Sequence, residues 1–212
     1  MSQNRSSAVM QQRSEPHDSL DDFPTPPWAT RALCEFLRHG PPSLPLGDFT
    51  VREPCANRGY MVRPLSEYFR CVVASDVHDY GVGFEVEDFL FPAPIAEVDF
   101  TCMNPPFRLA EQFIERALST SRFGCAAILR SAFLEGIGRH ERLFSERPPS
   151  YVLQFVERVP MVKGRVDPEA ASATAYAWLV WLHREHDSRV RWIPPCRKRL
   201  ERPGDYPEVA AA

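Results

Sequence analysis

Residues 98–130 read VDFTCMNPPFRLAEQFIERALSTSRFGCAAILR. VDFTCM is an apolar run with the length of a buried strand, and it ends at Asn104-Pro105-Pro106-Phe107. LAEQFIERALSTS then sets apolar residues at 109, 110, 113, 114, 117 and 118, the spacing of an amphipathic helix. GCAAILR returns to strand composition. A strand, a crossover helix and another strand predict a parallel βαβ unit.

The same alternation continues on both sides. FTVREP (49–54) and CVVASD (71–76) read as strands, separated by a helix in YMVRPLSEYFR (60–70) with Pro64 tolerated near its first turn. YVLQFVE (151–157) and TAYAWLVWLH (174–183) are further strands, with Trp178 and Trp181 as core residues. Upstream, Thr25 reads as an N-cap with Pro26 in the first turn of a helix running through Ala29, Leu33, Phe36 and Leu37 to a stop at Gly40-Pro41-Pro42. The predicted class is α/β, a mostly parallel sheet with helices on both faces.

Composition bounds what such a fold does. A chain of 212 residues with 44% hydrophobic and 25% charged residues suits one α/β domain and excludes wholesale disorder. Its 21 prolines, roughly twice the usual ~5%, gather at loops and ends. A net charge of −3 excludes a histone-like surface while leaving room for a local basic groove. The six cysteines form no CxxC pair and no zinc-ligand spacing, so neither a disulfide framework nor a metal site is expected. Cys55 and Cys102 read as packing residues. Residues 1–22 lack an apolar signal core, and the longest apolar run, Ala175–Leu182, is far below the ~20 residues of a membrane span. A soluble, cytoplasmic, reduced protein is expected.

In doubly wound sheets ligands sit at the carboxyl ends of the strands. The first strand ends in Glu53-Pro54-Cys55-Ala56-Asn57-Arg58-Gly59, with Gly59 as a bare surface for close approach. No GxGxxG stands there, which disfavours a nicotinamide or flavin enzyme. The second strand ends in Asp76, a position that commonly accepts from ribose hydroxyls, although a helix cap explains the residue alone equally well. Asp88-Phe89 precedes a Pro-rich turn. Asn104 carries the strongest signal: two prolines hold its amide oxygen beside the Pro105 carbonyl, so both can accept from one planar NH2 group, and Phe107 offers a flat face to the ring bearing it.

These segments, in this order and together with Thr25-Pro26-Pro27, resemble the motifs of class I S-adenosylmethionine-dependent amino-methyltransferases. With the cofactor motifs ahead of NPPF, the order resembles that of the gamma-type N6-adenine DNA methyltransferases. EPCANRGYMVRPLSEYF, RVDPEAASATAYAWLVW and RWIPPCRKRLERPGDY are similar to small adenine methyltransferases of phages and prophages, and the resemblance covers roughly residues 22–207. It implies a Rossmann-like, mostly parallel seven-stranded sheet over residues 23–186; the aperiodic residues 1–22 read as a disordered tail and residues 187–212 as a basic, Pro-rich tail. It implies S-adenosylmethionine as cofactor, with Glu53 on its ammonium, Thr25 on its carboxylate, Asp76 on the ribose and Asp88 on the adenine amine. Val77 and Phe89 would flank the adenine, and Pro54, Ala56, Asn57 and Gly59 would shape the turn beneath it. Asn104, Pro105, Pro106 and Phe107 would be catalytic. The family's usual glycine is replaced by Asn57, a residue type that tolerates positive φ.

The implied partner is duplex DNA with the target adenine flipped out, for protection against restriction or for regulation. Arg139, Arg142, Lys163, Arg165, Arg197, Lys198 and Arg199 are the candidate phosphate contacts. RNA adenine or protein glutamine as substrate, and a non-catalytic nucleic-acid-binding module, are the alternatives.

Overall fold

The computed structural model describes residues 20–185 and 187–206. The expected N-terminal tail falls largely outside them, as do residues 207–212. Among the described residues eight strands form one sheet: β1 (Thr50–Glu53), β2 (Cys71–Asp76), β3 (Glu85–Val86), β4 (Val98–Met103), β5 (Ser121–Arg130), β6 (Tyr151–Phe155), β7 (Tyr176–Leu182) and β8 (Arg189–Ile193). Their order is β3-β2-β1-β4-β5-β7-β6-β8. Only β7 runs antiparallel to its neighbours, β5 and β6; every other pairing is parallel. The helices are α1 (Pro27–His39), α2 (Val62–Ser66), α3 (Ala110–Ser119), the short α4 (Ile137–Arg139) and α5 (Arg197–Leu200).

All six strands read from the sequence are present, and the strand count is eight where seven were expected. One addition is β3, two residues long and too short to show a period. The other is β8, which lies in the expected C-terminal tail and pairs with β6 along its whole length, from Tyr151 opposite Arg189 to Phe155 opposite Ile193. Its Arg-Val-Arg-Trp pattern hides the strand because only Ile193 is buried.

Strand β7 shows why the apolar run at 175–182 is so long. Tyr176, Trp178, Val180 and Leu182 point into the cluster beneath α1, together with Val51, Phe100 and Leu153. Ala177, Leu179 and Trp181 point into the opposite cluster, with Ile114 and Ala117 of α3. A strand covered on both faces has no solvent side, so its period-2 alternation vanishes from the sequence. Trp178 also donates from Nε1 to the Ala29 carbonyl at 2.9 Å, tying the sheet to α1.

The start of α1 departs from expectation. Pro26 is its cap residue, with φ −63° and ψ 138°, and Pro27 is the first helical residue. A cap at Thr25 would be followed by two prolines that carry no N–H, so its hydroxyl would have little to hold. The Thr25 Oγ1 atom is instead buried without a partner. Helix α2 spans five of the eleven residues expected, because a proline at its third position leaves a single turn that ends in tighter bonds at Glu67 and Tyr68.

The segment after β8 closes on α1. Arg31, buried in that helix, donates to both carboxylate oxygens of Glu67, to both oxygens of Asp205 and to the Leu200 carbonyl. All of its donor nitrogens are satisfied, and every partner lies on another element. Glu157 accepts from the N–H groups of Cys196 and Arg197 and so caps α5. Replacing Arg31 by alanine leaves the buried Asp205 without its counter-charge and Glu67 with Arg202 alone. The expected cost is about 3–5 kcal/mol of stability, read as an earlier midpoint in urea. A variant within ~0.5 kcal/mol of wild type would show that the network contributes no net stability.

Candidate functional site

Parallel pairing brings the carboxyl ends of β1, β2, β4 and β5 to one edge of the sheet, and a cavity of about 250 Å³ opens there. Its walls come from Pro54, Ala56 and Asn57 after β1, Asp76 and Val77 at the end of β2, and Asp88 and Phe89. Asn104 and Pro106 after β4, together with Thr25 before α1, also line it. Ten of the fourteen residues nominated for cofactor and catalysis therefore line one space. Glu53, Gly59, Pro105 and Phe107 do not.

The turn after β1 is built as its sequence suggests. Asn57 has φ 50° and Gly59 φ 82°, so a non-glycine residue does occupy a left-handed position. Hydrogen bonds hold it there. The Asn57 N–H donates to Asp76 Oδ2 (2.9 Å), its Oδ1 accepts from the Arg58 N–H (2.7 Å), and its Nδ2 donates to Asp22 Oδ1 (2.7 Å). Gly59 corrects the expectation of a bare face toward the ligand. A Cβ there would stand 3.1 Å from the Phe84 ring, so the glycine serves the turn and a close packing contact.

Glu53 lies fully buried behind this turn. Its Oε1 accepts from the Cys55 N–H at 3.0 Å, while Oε2 has no partner. Burial pushes its carboxyl well above the ordinary carboxylate range, with the nearby Asp76 adding to the effect. Burial likewise raises the Cys55 and Cys102 thiols, in keeping with packing roles. Asp76 Oδ1 accepts from the His78 N–H, and Asp88 Oδ1 from the Leu90 N–H.

Also in the cavity wall, Asn104 Nδ2 donates to the Phe23 carbonyl at 2.8 Å, which fixes the amide plane and leaves Oδ1 as its acceptor end. The Phe107 N–H donates to Asp21 Oδ2 at 2.7 Å, and the Arg130 guanidinium lies 4.3 Å from the centre of the Phe107 ring. Residues 21–23 thus bind both halves of the site: Asp21 holds the turn after β4, Asp22 the turn after β1. Asp22 also pairs with Arg58 and accepts from the Gly164 N–H through its carbonyl.

Sequence reasoning missed this segment because Leu20–Asp22 has no period and fell within the expected tail. Tyr80 and Glu87, also cavity-lining, carried no signal of their own. Burial and the charges of Asp22 and Asp76 push the Tyr80 hydroxyl up to about 12.

The nominated phosphate contacts are scattered and mostly engaged. Arg139 and Arg142 share Glu111, Arg165 pairs with Asp167, Arg197 with Glu201, and Arg199 with Glu35. Lys163 and Lys198 are exposed. None of the seven lines the cavity.

No family model and no curated protein matches this sequence. Solved structures do. One from Vibrio vulnificus, named as a modification subunit of a type I restriction enzyme, superposes with a TM-score of 0.58 at 16% identity over 81% of this chain and 47% of its own. A type I restriction-modification methyltransferase subunit from Streptococcus thermophilus gives 0.57 at 14% identity, over 89% and 50%. A protein from Pyrococcus horikoshii named as an RNA methyltransferase gives 0.56 at 15%, over 80% and 90%. The chain spans about half the length of the two modification subunits. At these identities the likeness is one of fold, and the fold is the Rossmann-like one of class I methyltransferases.

The buried Glu53 carboxyl makes stability depend on pH. A carboxyl whose folded pKa is raised above its unfolded value of about 4.3 binds its proton more tightly when folded. Its contribution is complete below the unfolded value and is lost as pH rises through the folded one. Glu53→Gln, which is neutral throughout, should flatten the fall in melting temperature that wild type shows above pH ~4.3. Parallel curves for the two proteins would place the titration elsewhere.

Proposed function

We propose that this chain transfers the methyl group of S-adenosylmethionine to the N6 amine of adenine in DNA. The observation that carries the proposal is two buried, partnerless oxygens, Thr25 Oγ1 in the cavity wall and Glu53 Oε2 behind the turn that lines it, beside a cavity that also holds the fixed Asn104 amide. Buried polar atoms are almost always hydrogen-bonded, so orphaned ones mark a place for a ligand's groups. An amino-acid moiety suits this pair, with its ammonium donating to Glu53 and its carboxylate accepting from the Thr25 hydroxyl.

The other residues fit the remainder of such a cofactor. Asp76 accepts from ribose hydroxyls, Asp88 accepts from the adenine amine, and Val77 and Phe89 flank the adenine ring. The turn Pro54–Gly59, including Ala56 and Asn57, lies beneath it. When bound, S-adenosylmethionine supplies an already activated electrophilic methyl group.

The acceptor is a weak nucleophile because its nitrogen lone pair is delocalised into the ring. Asn104 Oδ1 and the Pro105 carbonyl accept from its two N–H bonds, which favours a pyramidal nitrogen and stabilises the positive charge that develops there. Pro105 and Pro106 fix the backbone at the positions where these acceptors must stay rigid. Phe107 stacks on the base, worth about 1–3 kcal/mol. The surplus proton leaves to water. A base in a duplex reaches this site only by flipping out of the stack.

The test supplies purified protein with tritium-labelled S-adenosylmethionine and, in parallel, unmethylated DNA, total RNA and protein extract. Label is expected in N6-methyldeoxyadenosine. Asn104→Ala should lower that rate about a hundredfold or more while cofactor binding is retained. Label in RNA or in glutamine would keep the acceptor chemistry and replace the substrate. Wild-type rates in Asn104→Ala would overturn the mechanism.

A further inference from the structure

The chain between β5 and β6 presents a highly exposed aliphatic side chain on a braced support. Ile137 is 82% exposed, the highest value among the large hydrophobic residues described. Gly136 before it has φ 120°, a conformation unfavourable for any residue with a side chain, and Gly138 follows it. A Cβ on Gly138 would meet Arg142 Nη1 at 2.8 Å. Ile137 is thus the first residue of α4, entered through Gly136, and the helical chain continues from it to Phe144.

The support beneath the tip is fastened at several points. Arg139 donates to the carbonyls of Phe133 (2.8 Å) and Glu135 (2.6 Å) and lies 4.0 Å over the Phe133 ring. Arg142 makes a two-pronged contact with Glu111 at 2.9 and 3.0 Å, and Leu143 is buried. Two of the arginines nominated as phosphate contacts thus act as struts. Glu111 belongs to α3, the helix that follows directly from Asn104-Pro105-Pro106-Phe107. The loop itself springs from Arg130, whose guanidinium covers the Phe107 ring. Both attachments place the support beside the acceptor turn.

We propose that Ile137 is a wedge that enters the base stack of duplex DNA when the target adenine leaves it, an inference that rests on the DNA assignment above. Extruding a base opens a gap in the stack, and proteins that distort duplexes fill or pry such gaps with single apolar side chains, isoleucine among them. The charges around the tip are mixed, with Glu135 and Glu141 beside Arg139 and Arg142, which suits an apolar insertion better than a grip on phosphates. A protein partner would ask for a broader apolar core than one side chain supplies.

The test compares two duplexes that share one target adenine, paired with thymine in the first and facing an abasic site in the second. Ile137→Ala removes the wedge at a position where nothing is buried, so folding is preserved. Its kcat/KM on the paired duplex should fall about tenfold or more, since wild type alone replaces the lost stacking. On the abasic duplex, where the base is already loose, it should stay within about twofold of wild type. Ile137→Leu should restore activity on the paired duplex. Equal activity of Ile137→Ala and wild type on the paired duplex overturns the wedge alone, as does equal slowing on both duplexes, which would assign the tip to a general contact. A wild-type protein that methylates neither duplex overturns the DNA assignment and the wedge together.

Discussion

Parallel pairing of β1, β2, β4 and β5 is the constraint on which the site depends. Parallel strands all deliver their carboxyl ends to the same edge. The registers set Glu53 level with Ala74 and Met103 level with Ala127. Residues separated by up to fifty positions, from Pro54 to Asn104, then face one cavity without any long-range side-chain contact having to bring them there. The ladder's hydrogen bonds do the positioning, and the loops are left to carry the chemistry. Reversing β7 does not disturb this arrangement, because β7 joins the sheet on the far side of β5.

Strand ends alone would leave the two halves of the site independent. Residues 21–23 join them. Asp22 holds the side chain of Asn57 and the guanidinium of Arg58, Asp21 holds the Phe107 N–H, and the Phe23 carbonyl sets the Asn104 amide. Three consecutive residues thus reach both turns, and a displacement of one turn is felt at the other. The same contacts explain how asparagine survives where positive φ is required. Its side chain bridges Asp22 and the Arg58 N–H, and these bonds offset the modest strain of φ 50°.

What was legible in the sequence was whatever left a period or a fixed spacing. VDFTCM and CVVASD became strands with the bounds they show in the sequence, and α3 followed its apolar stripe. The strand-end motifs converged as their order suggested, because the fold leaves them one edge on which to meet. Illegible were the parts defined by partners far along the chain. Asp21 and Asp22 look like a polar tail until Asn57 and Phe107 are set beside them. Strand β8 looks like a basic tail because three of its five residues are Arg, Arg and exposed Trp, and its role comes from the edge of β6. The helix start at Pro27 turned on which residues lack an N–H, a detail that a cap-residue rule passes over.

The arginines show how a charge pattern misleads when it is read along the chain. Clusters of basic residues suggest phosphate contacts, yet Arg139, Arg142, Arg165, Arg197 and Arg199 each face a carboxylate supplied by another part of the sequence or by a near neighbour. An arginine already bonded to Glu35 or Glu111 offers phosphate only what remains after that pair is loosened, and exposed pairs of this kind contribute little attraction at a distance. A net charge of −3 also gives the chain no overall positive charge to draw a polyanion in. If the proposed DNA substrate holds, its recognition would have to rest on short-range fit by the planar amide, the aromatic ring and the apolar tip that follow the carboxyl ends of β4 and β5. Under the proposed function, the amide and the ring would act only on a base that has come out of its stack. Selectivity would then lie in the cost of extracting that base and in what fills the gap behind it.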